Sequence, residues 1–411
     1  MRSVLTVLLL SFTLPGCDRN AATGVSTGMW RAVIEIQGKE LPFNFELVNT
    51  KDGGYHAYIL NAGERLRLDD ITIKGDSIDM PLHIFDANLK ARIAGDSMTG
   101  IFIKNYEKDY RLPFRAACGQ RFRFEKGRDD EHINYDGKYE VTFYDSEDTT
   151  AAIGLFEQIG DSVTGTFLTP TGDYRYLQGN VANGKLQLST FDGNYAYLFT
   201  ANMKPDGSLA GDFTSGKTYK ATWSAIRNEN ATLPDAESLT YLKDGYETIE
   251  FSFPDIHGKE ISLTDKKYKD KVVILQLLGS WCPNCMDETQ FLAPWYRMNK
   301  DRGVEIIGLA YERKDDFTYA STRIKNMIEK MDVGYDIVIA GTNDKAKASA
   351  TLPMLNGIAA FPTTIFIGKD GKVKKIHTGF SGPGTGVYYE QFKEEFNIIV
   401  NELLSEQTAY K

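Results

Sequence analysis

Two cysteines separated by two residues stand in GSWCPNC, Gly279–Cys285, directly after the apolar run VVILQLL. A pair at this spacing serves three chemistries: a reversible dithiol couple, half of a zinc site, or a fixed staple. With a strand ending before the motif and a helix beginning at it, Cys282 sits where unpaired amides and the helix macrodipole favour thiolate over thiol. Cys285 is then within reach of its sulfur, so a disulfide opens and closes without large backbone movement. Zinc needs four ligands, and the chain has no second CxxC and no paired histidines, only His257 and His377 far off in sequence. A structural bridge this tight closes so small a loop that it constrains little of the unfolded chain. Disulfide exchange is the favoured chemistry, the first sulfur attacking a client's disulfide and the second resolving the mixed intermediate.

The elements that must position this pair follow from Tyr246 onward. KVVILQLL is a continuous apolar strand of the kind buried on both faces. PNCMDETQFLAPWYRMNK and DDFTYASTRIKNMIEKM carry helical spacing, and VEIIGLAYE and YDIVIAG read as further strands. TTIFIG and KVKKIHTGF flank the Asp-Gly of a hairpin, and YYEQFKEEFNIIVNELL closes the chain as an amphipathic helix. The layout is α/β, with the motif at a strand's carboxyl end.

This part resembles the thioredoxin superfamily, specifically its TlpA-like branch of exported, membrane-tethered thiol–disulfide oxidoreductases. The likeness rests on FSFPDIHGKEISLTDKKYKDKVVILQ, on WCPNC, on AFPTTIFIGKDGKV, and on Glu288 three residues after the second cysteine. It implies a catalytic site of Cys282, Cys285, Glu288 and Pro362, with a cis peptide at Phe361–Pro362 and backbone there for a client strand to pair with. Trp281, Phe361 and Thr363 would contact the client. The implied partners are client proteins with disulfides and a membrane electron-donor protein; no cofactor and no metal are called for. Six residues before the first cysteine, where thioredoxin has a buried aspartate, this chain has Gln276, which does no acid–base work. If a carboxylate assists Cys285, Glu288 is the candidate, with Asp287 pointing elsewhere on the helix. The Pro-x-x-x-Thr-x-x-Cys motif of peroxiredoxins is missing, since Leu275 and Gly279 hold the proline and threonine places. Direction is not legible in the motif; the branch implies a disulfide reductase.

The front half is different in kind. From Gly28 to Asn228 the chain alternates in period two, broken by turn signals every 8 to 12 residues or so. About eight short strands run from WRAVIEI to YRLPFRA, and the rhythm restarts at KYEVTFY. Trp30 aligns with Tyr139, Gly63 with Gly172 and Ala116 with Ala225, each 109 apart by subtraction. The expected fold is all-β and duplicated: tandem small antiparallel barrels, lipocalin- or avidin-like, followed by the α/β thioredoxin-like domain. One fused, flattened sandwich is the alternative. No nucleophile, metal cluster or paired carboxylates occur there, and His56, His83 and His132 are scattered. The barrels therefore either bind a ligand or partner, the redox domain serving one bound client, or act as spacers.

The N-terminus reads as an address. One arginine precedes the apolar run VLTVLLLSFTL, too short to span a bilayer as a mature helix, and the run closes on LPGC. That resembles the lipobox of bacterial lipoproteins and implies acylation of Cys17, a lipid anchor and a periplasm-facing place in the cell envelope. The expected division is a signal peptide at 1–16, barrel repeats at 28–118 and 132–228, a linker at 229–245 and the thioredoxin-like domain at 246–411. With 47 basic against 56 acidic side chains, a net charge of −9 and no basic stripe, nucleic acid is excluded as a partner. Cys118 is left over and expected as a small buried hydrophobe.

Overall fold

A computed structural model describes residues 18–19, 25–125, 127 and 133–406. The expected signal at 1–16, Cys17 and His132 lie outside the described residues.

Both front units are antiparallel meanders in which the last strand returns to the first. Arg111–Cys118 pairs with Ser26–Ile36, and Tyr219–Arg227 pairs with Gly137–Tyr144. Ala116 lies opposite Ala32, and Ala225 opposite Val141, so the ladder repeats at the same 109-residue spacing that the sequence shows. The second unit closes: Ser162–Thr169 pairs both with Thr149–Ile159 and with Leu177–Ala182, which completes the ring and removes its edges. In the first unit the ring stays open between Glu64–Leu68 and Thr72–Lys74. Asp70 adopts a left-handed φ of 59°, and the strand that follows has only three residues, too few to carry the closing ladder. Aromatic rings fill the second barrel, Phe199 stacking on Phe213 at 4.2 Å and Phe167 against Trp223 at 5.2 Å. Phe191 leaves that barrel to pack between Phe43 and Phe102 of the first, fixing the two units to each other. Cys118 is half-buried rather than fully buried, packed on the core of the first unit with its Sγ 3.8 Å from the Thr27 carbonyl oxygen.

The stretch 229–245 is strapped to the redox domain. Tyr241 N–H donates to Asn356 Oδ1 at 2.8 Å, Ala359 N–H to Thr240 Oγ1 at 3.3 Å, and Leu242 bridges Leu355.

The back half is a five-stranded sheet in the order Asp336–Thr342, Val304–Glu312, Val272–Leu278, Thr363–Ile367, Val373–Thr378. The first three run parallel, Thr363–Ile367 runs antiparallel to them, and Val373–Thr378 is antiparallel to Thr363–Ile367 in turn. Every side chain of Val272–Leu278 is buried, the one polar residue Gln276 included, as a central strand covered on both faces requires. Helix α1 (Pro283–Asn299) follows that strand, with Cys282 as N-cap and Pro283 in the first turn, where its missing N–H costs nothing. Helix α2 (Phe317–Met331) and the short α3 (Lys345–Thr351) flank the sheet. Helix α4 (Val387–Ser405) buries Phe392, Phe396, Val400 and Leu403, one stripe at helical spacing. Among the described residues no helix is long and apolar enough to cross a membrane.

Candidate active site

Cys282 and Cys285 are joined as a disulfide, their Cα atoms 5.2 Å apart. The strand Val272–Leu278 delivers them to the carboxyl edge of the sheet, and α1 begins there. Cys285 N–H points at Cys282 Sγ from 3.2 Å, so one unpaired amide of the helix start is aimed at the first sulfur. Cys282 Sγ also lies 3.5 Å from the carbonyl oxygen of Phe361, and the Phe361–Pro362 peptide is cis, as expected. Trp281 donates its Nε1–H to the Tyr311 carbonyl at 2.8 Å and packs edge-on against Phe361, centroids 5.9 Å apart. Glu312, fully buried, accepts from both the N–H and the hydroxyl of Ser280, at 2.8 and 3.0 Å, and so pins the turn that carries the motif.

Glu288 is not a surface helix residue. It is 0% exposed, accepting from Gln276 Nε2 at 2.8 Å and from Thr364 Oγ1 at 2.5 Å. Burial pushes its carboxyl up to about 7, against the pull of those two donors. It stands one helical turn beyond Cys285, on the same face. Thr363, expected to meet the client, has its side chain fully buried and donating to the Ala360 carbonyl at 2.8 Å, so only its backbone remains for that role.

The front half reaches into the motif itself. Asn284, between the two cysteines, donates to the Asp173 carbonyl at 3.1 Å and accepts from Tyr195 OH at 3.3 Å. Gly172 allows this approach: its φ is 143°, and a Cβ there would stand 3.0 Å from Asn284 Nδ2. The Asp173 carboxylate accepts from Gly382 N–H at 2.5 Å and Arg175 N–H at 2.6 Å. Burial, then the neighbouring Asp287, raises it to about 7. Asp287 does point away from the cysteines, into a buried node built on Arg175. That guanidinium meets Asp287 at 2.8 Å, Asp192 at 2.8 Å and Glu64 at 2.5 Å, so both barrels and α1 share one cation. Burial pushes Asp287 up while Arg175 opposes it. On the other side of the site, Arg313 lies 5.0 Å from the Trp281 ring centroid and 3.9 Å from that of Tyr106 in the first unit. Cys282 is consequently only 3% exposed and Cys285 0%.

The structure thus brings together Cys282, Cys285, Trp281, Phe361 and Pro362, sets Glu288 behind them and buries the Thr363 side chain. Arg175, Asp173, Tyr195, Tyr106, Arg313 and Glu312 were missed by sequence reasoning. Only Glu312 and Arg313 carry a legible signal, since they end a strand parallel to the one bearing the motif, at the sheet edge where α/β sites gather. His56 and His83 stand outside the site, facing Asp69 and Asp70. Among the described residues no cluster of three or more candidate ligands could hold a metal ion.

An α/β domain on a mixed five-stranded sheet, with a two-residue-spaced disulfide at a helix start facing a cis-proline, defines the class of thioredoxin-like thiol–disulfide oxidoreductases. Residues 245–376 match the AhpC/TSA family. The chain is 32% identical over 132 residues to the thiol–disulfide oxidoreductase ResA of Bacillus thuringiensis subsp. konkukian, a match spanning 32% of this chain and 68% of that protein. Identity to ResA of Bacillus subtilis is 29% over 150 residues, 36% of this chain and 74% of the relative. Among solved structures, a putative protein disulfide isomerase from Bacteroides thetaiotaomicron aligns over 41% of this chain and 93% of its own at 21% identity, TM-score 0.31. A thiol:disulfide interchange protein from Chlorobium tepidum aligns over 40% and 100% at 22% identity, TM-score 0.30. The chain belongs to the family of the ResA thiol–disulfide oxidoreductases, and it is an enzyme of that activity.

Proposed function

We propose that the protein is a membrane-tethered disulfide reductase of exported proteins, with Cys282 and Cys285 as its catalytic dithiol and acylated Cys17 as its anchor. The observation that carries the reading is Cys282 Sγ at the N-cap of α1, faced by the Cys285 amide and 3.5 Å from the Phe361 carbonyl. In the reduced enzyme the Cys282 thiolate attacks one sulfur of a client disulfide; that S–S bond breaks, a mixed disulfide forms, and a client thiolate leaves. Cys285 loses its proton and attacks Cys282 Sγ, releasing the second client thiolate and closing Cys282–Cys285. Two electrons pass to the client, and a membrane dithiol donor of the kind implied by the family resemblance returns them. Glu288, whose raised value lets it hold a proton near neutrality, is the proton store one turn from Cys285. Pro362 and Phe361 present backbone to the client beside the sulfur, with Trp281 as its apolar wall. The front half divides into repeats at 28–118 and 132–228.

A second reading makes the barrels the recognition element and the dithiol the servant of one bound client; the Asn284–Asp173 contact favours it over a mere spacer. Reduction of insulin by the full chain with dithiothreitol as donor tests the main reading. Turnover lost on Cys282→Ser supports it; turnover that survives this substitution overturns it.

A further inference from the structure

Around the dithiol, the redox domain presents a row of cations. Arg323, Met327 and Lys330 lie on one stripe of α2, at i, i+4 and i+7. Met327 packs against Cys282 and Cys285, so the two charges flank the disulfide along the helix. Arg313 extends the row across the face of Trp281.

The groups that cover this row in the front half are its chemical complement. Lys330 meets Asp69 at 3.3 Å and Asp70 at 3.4 Å. Arg323 pairs with Asp86 at 3.6 Å and donates to the carbonyls of His83 and Ile84. Arg313 takes the Tyr106 ring on its open face and donates to Asn194 Oδ1 at 3.2 Å. One pair runs the other way, Arg175 of the second barrel on Asp287, at the far end of the site from α2. Beside Lys330, where the first ring stays open, a 320 Å³ cavity is walled by Arg65, Arg67, Asp69, Lys330 and Met331. Leu66, Leu68, Leu82 and Phe85 complete its walls, so largely apolar side-chain room edged by three cations and one carboxylate adjoins the row without any rearrangement.

Resting on the dithiol reading above, we infer that this face takes an acidic, tyrosine-bearing extended segment of the client, and that the front half holds the same place in the resting enzyme. The three acids and one aromatic ring of the cover are a template of what binds there. Client and cover compete for the cations, and the exchange proceeds when the client's carboxylates displace Asp69, Asp70 and Asp86. The chain's net charge of −9 repels an acidic segment at long range, so a preference for one must come from this local row.

The test uses the reduced full chain and two synthetic disulfide-linked peptides, one with aspartates and a tyrosine beside the cysteine, the other with lysines replacing the aspartates. At low ionic strength the acidic peptide is expected to exchange about tenfold faster or more, with the ratio falling as salt screens the row. Lys330→Gln and Arg313→Gln should bring the ratio towards one; the ratio, unlike either rate, is blind to a cover that has merely loosened. Asp69→Asn combined with Asp70→Asn should speed exchange of the acidic peptide. Equal rates, a faster lysine peptide, or a ratio unmoved by both cation substitutions overturn the inference and leave the dithiol reading standing. Exchange with neither peptide removes the dithiol reading, and this inference with it.

Discussion

Arg175 donates from Nε and Nη2 to the two carboxylate oxygens of Asp287, each at 2.8 Å, across the boundary between the second barrel and α1. Both residues are buried, and Arg175 also serves Asp192 and Glu64. Arg175→Met strands three buried carboxylates, and breaking a buried pair from one side costs about 3–5 kcal/mol. Asp287→Asn leaves the cation two partners and should cost less. Urea denaturation of both variants checks the order; an Asp287 variant that proves the weaker protein contradicts the node as described.

The two cysteines should fail differently. Cys282→Ser removes the sulfur aimed at by a helix-start amide and should abolish exchange. Cys285→Ser removes the resolving sulfur and should accumulate a covalent adduct with clients, visible on a non-reducing gel and released by dithiothreitol. Absence of that adduct reverses the assignment of the two roles.

The redox poise should lie at the reducing end. Asn284 is uncharged, and its carboxamide is engaged by the Asp173 carbonyl and Tyr195. The nearby cation of Arg175 is balanced by three carboxylates, and ionised Glu288 opposes a second anion at Cys285. The Cys285 amide favours the Cys282 thiolate, but the flanking cations Arg323 and Lys330 are already paired with Asp86, Asp69 and Asp70, so the midpoint should fall nearer the thioredoxin value of about −270 mV than the strong-oxidant value of about −120 mV. Asp287→Asn removes a negative charge and should move the midpoint upward. Equilibration in glutathione and dithiothreitol buffers measures both, and a wild-type midpoint at the oxidant end overturns the reductase assignment.

Stability should fall as the solution is made more basic through neutrality. The Glu288 carboxyl is raised from 4.5 to about 7 in the folded protein. Between those values the folded state holds a proton that the unfolded state has lost. Its contribution is therefore full below the unfolded value and gone above the folded one. The size is on the order of 3 kcal/mol. Glu288→Gln should shrink the difference in unfolding free energy between pH 5 and pH 8 by urea titration. Asp173, raised in the same sense, keeps its own share in that variant. An unchanged pH slope contradicts the buried environment of Glu288.

The α/β half was legible because its signals are local. A strand apolar at all but one position, a proline just inside a helix and an Asp-Gly hairpin each act within a few residues, and Cys282, Cys285, Trp281 and Pro362 fall into place once those elements exist. The duplication was legible for the same reason, since period-two alternation survives in both copies. The open ring of the first unit was not, because closure depends on how Asp70 turns and on a three-residue strand, and both fit the same pattern of alternation. The role of Arg175 was invisible: an arginine in YRYLQ looks like any solvated charge, and its carboxylate partners come from positions 64, 192 and 287. Asn284 stands between the cysteines, and nothing near it in sequence announces Asp173 or Tyr195.

The hydrogen bonds of Asn284 belong at once to the dithiol motif and to the packing of the barrel against it. Docking of the front half and oxidation of the cysteines therefore lie on one thermodynamic cycle, and reciprocity governs them. Whatever factor reduction imposes on docking, undocking imposes on the electron affinity of the pair. A molecule that binds the barrels and favours one arrangement is thus an effector of the redox equilibrium without touching either sulfur.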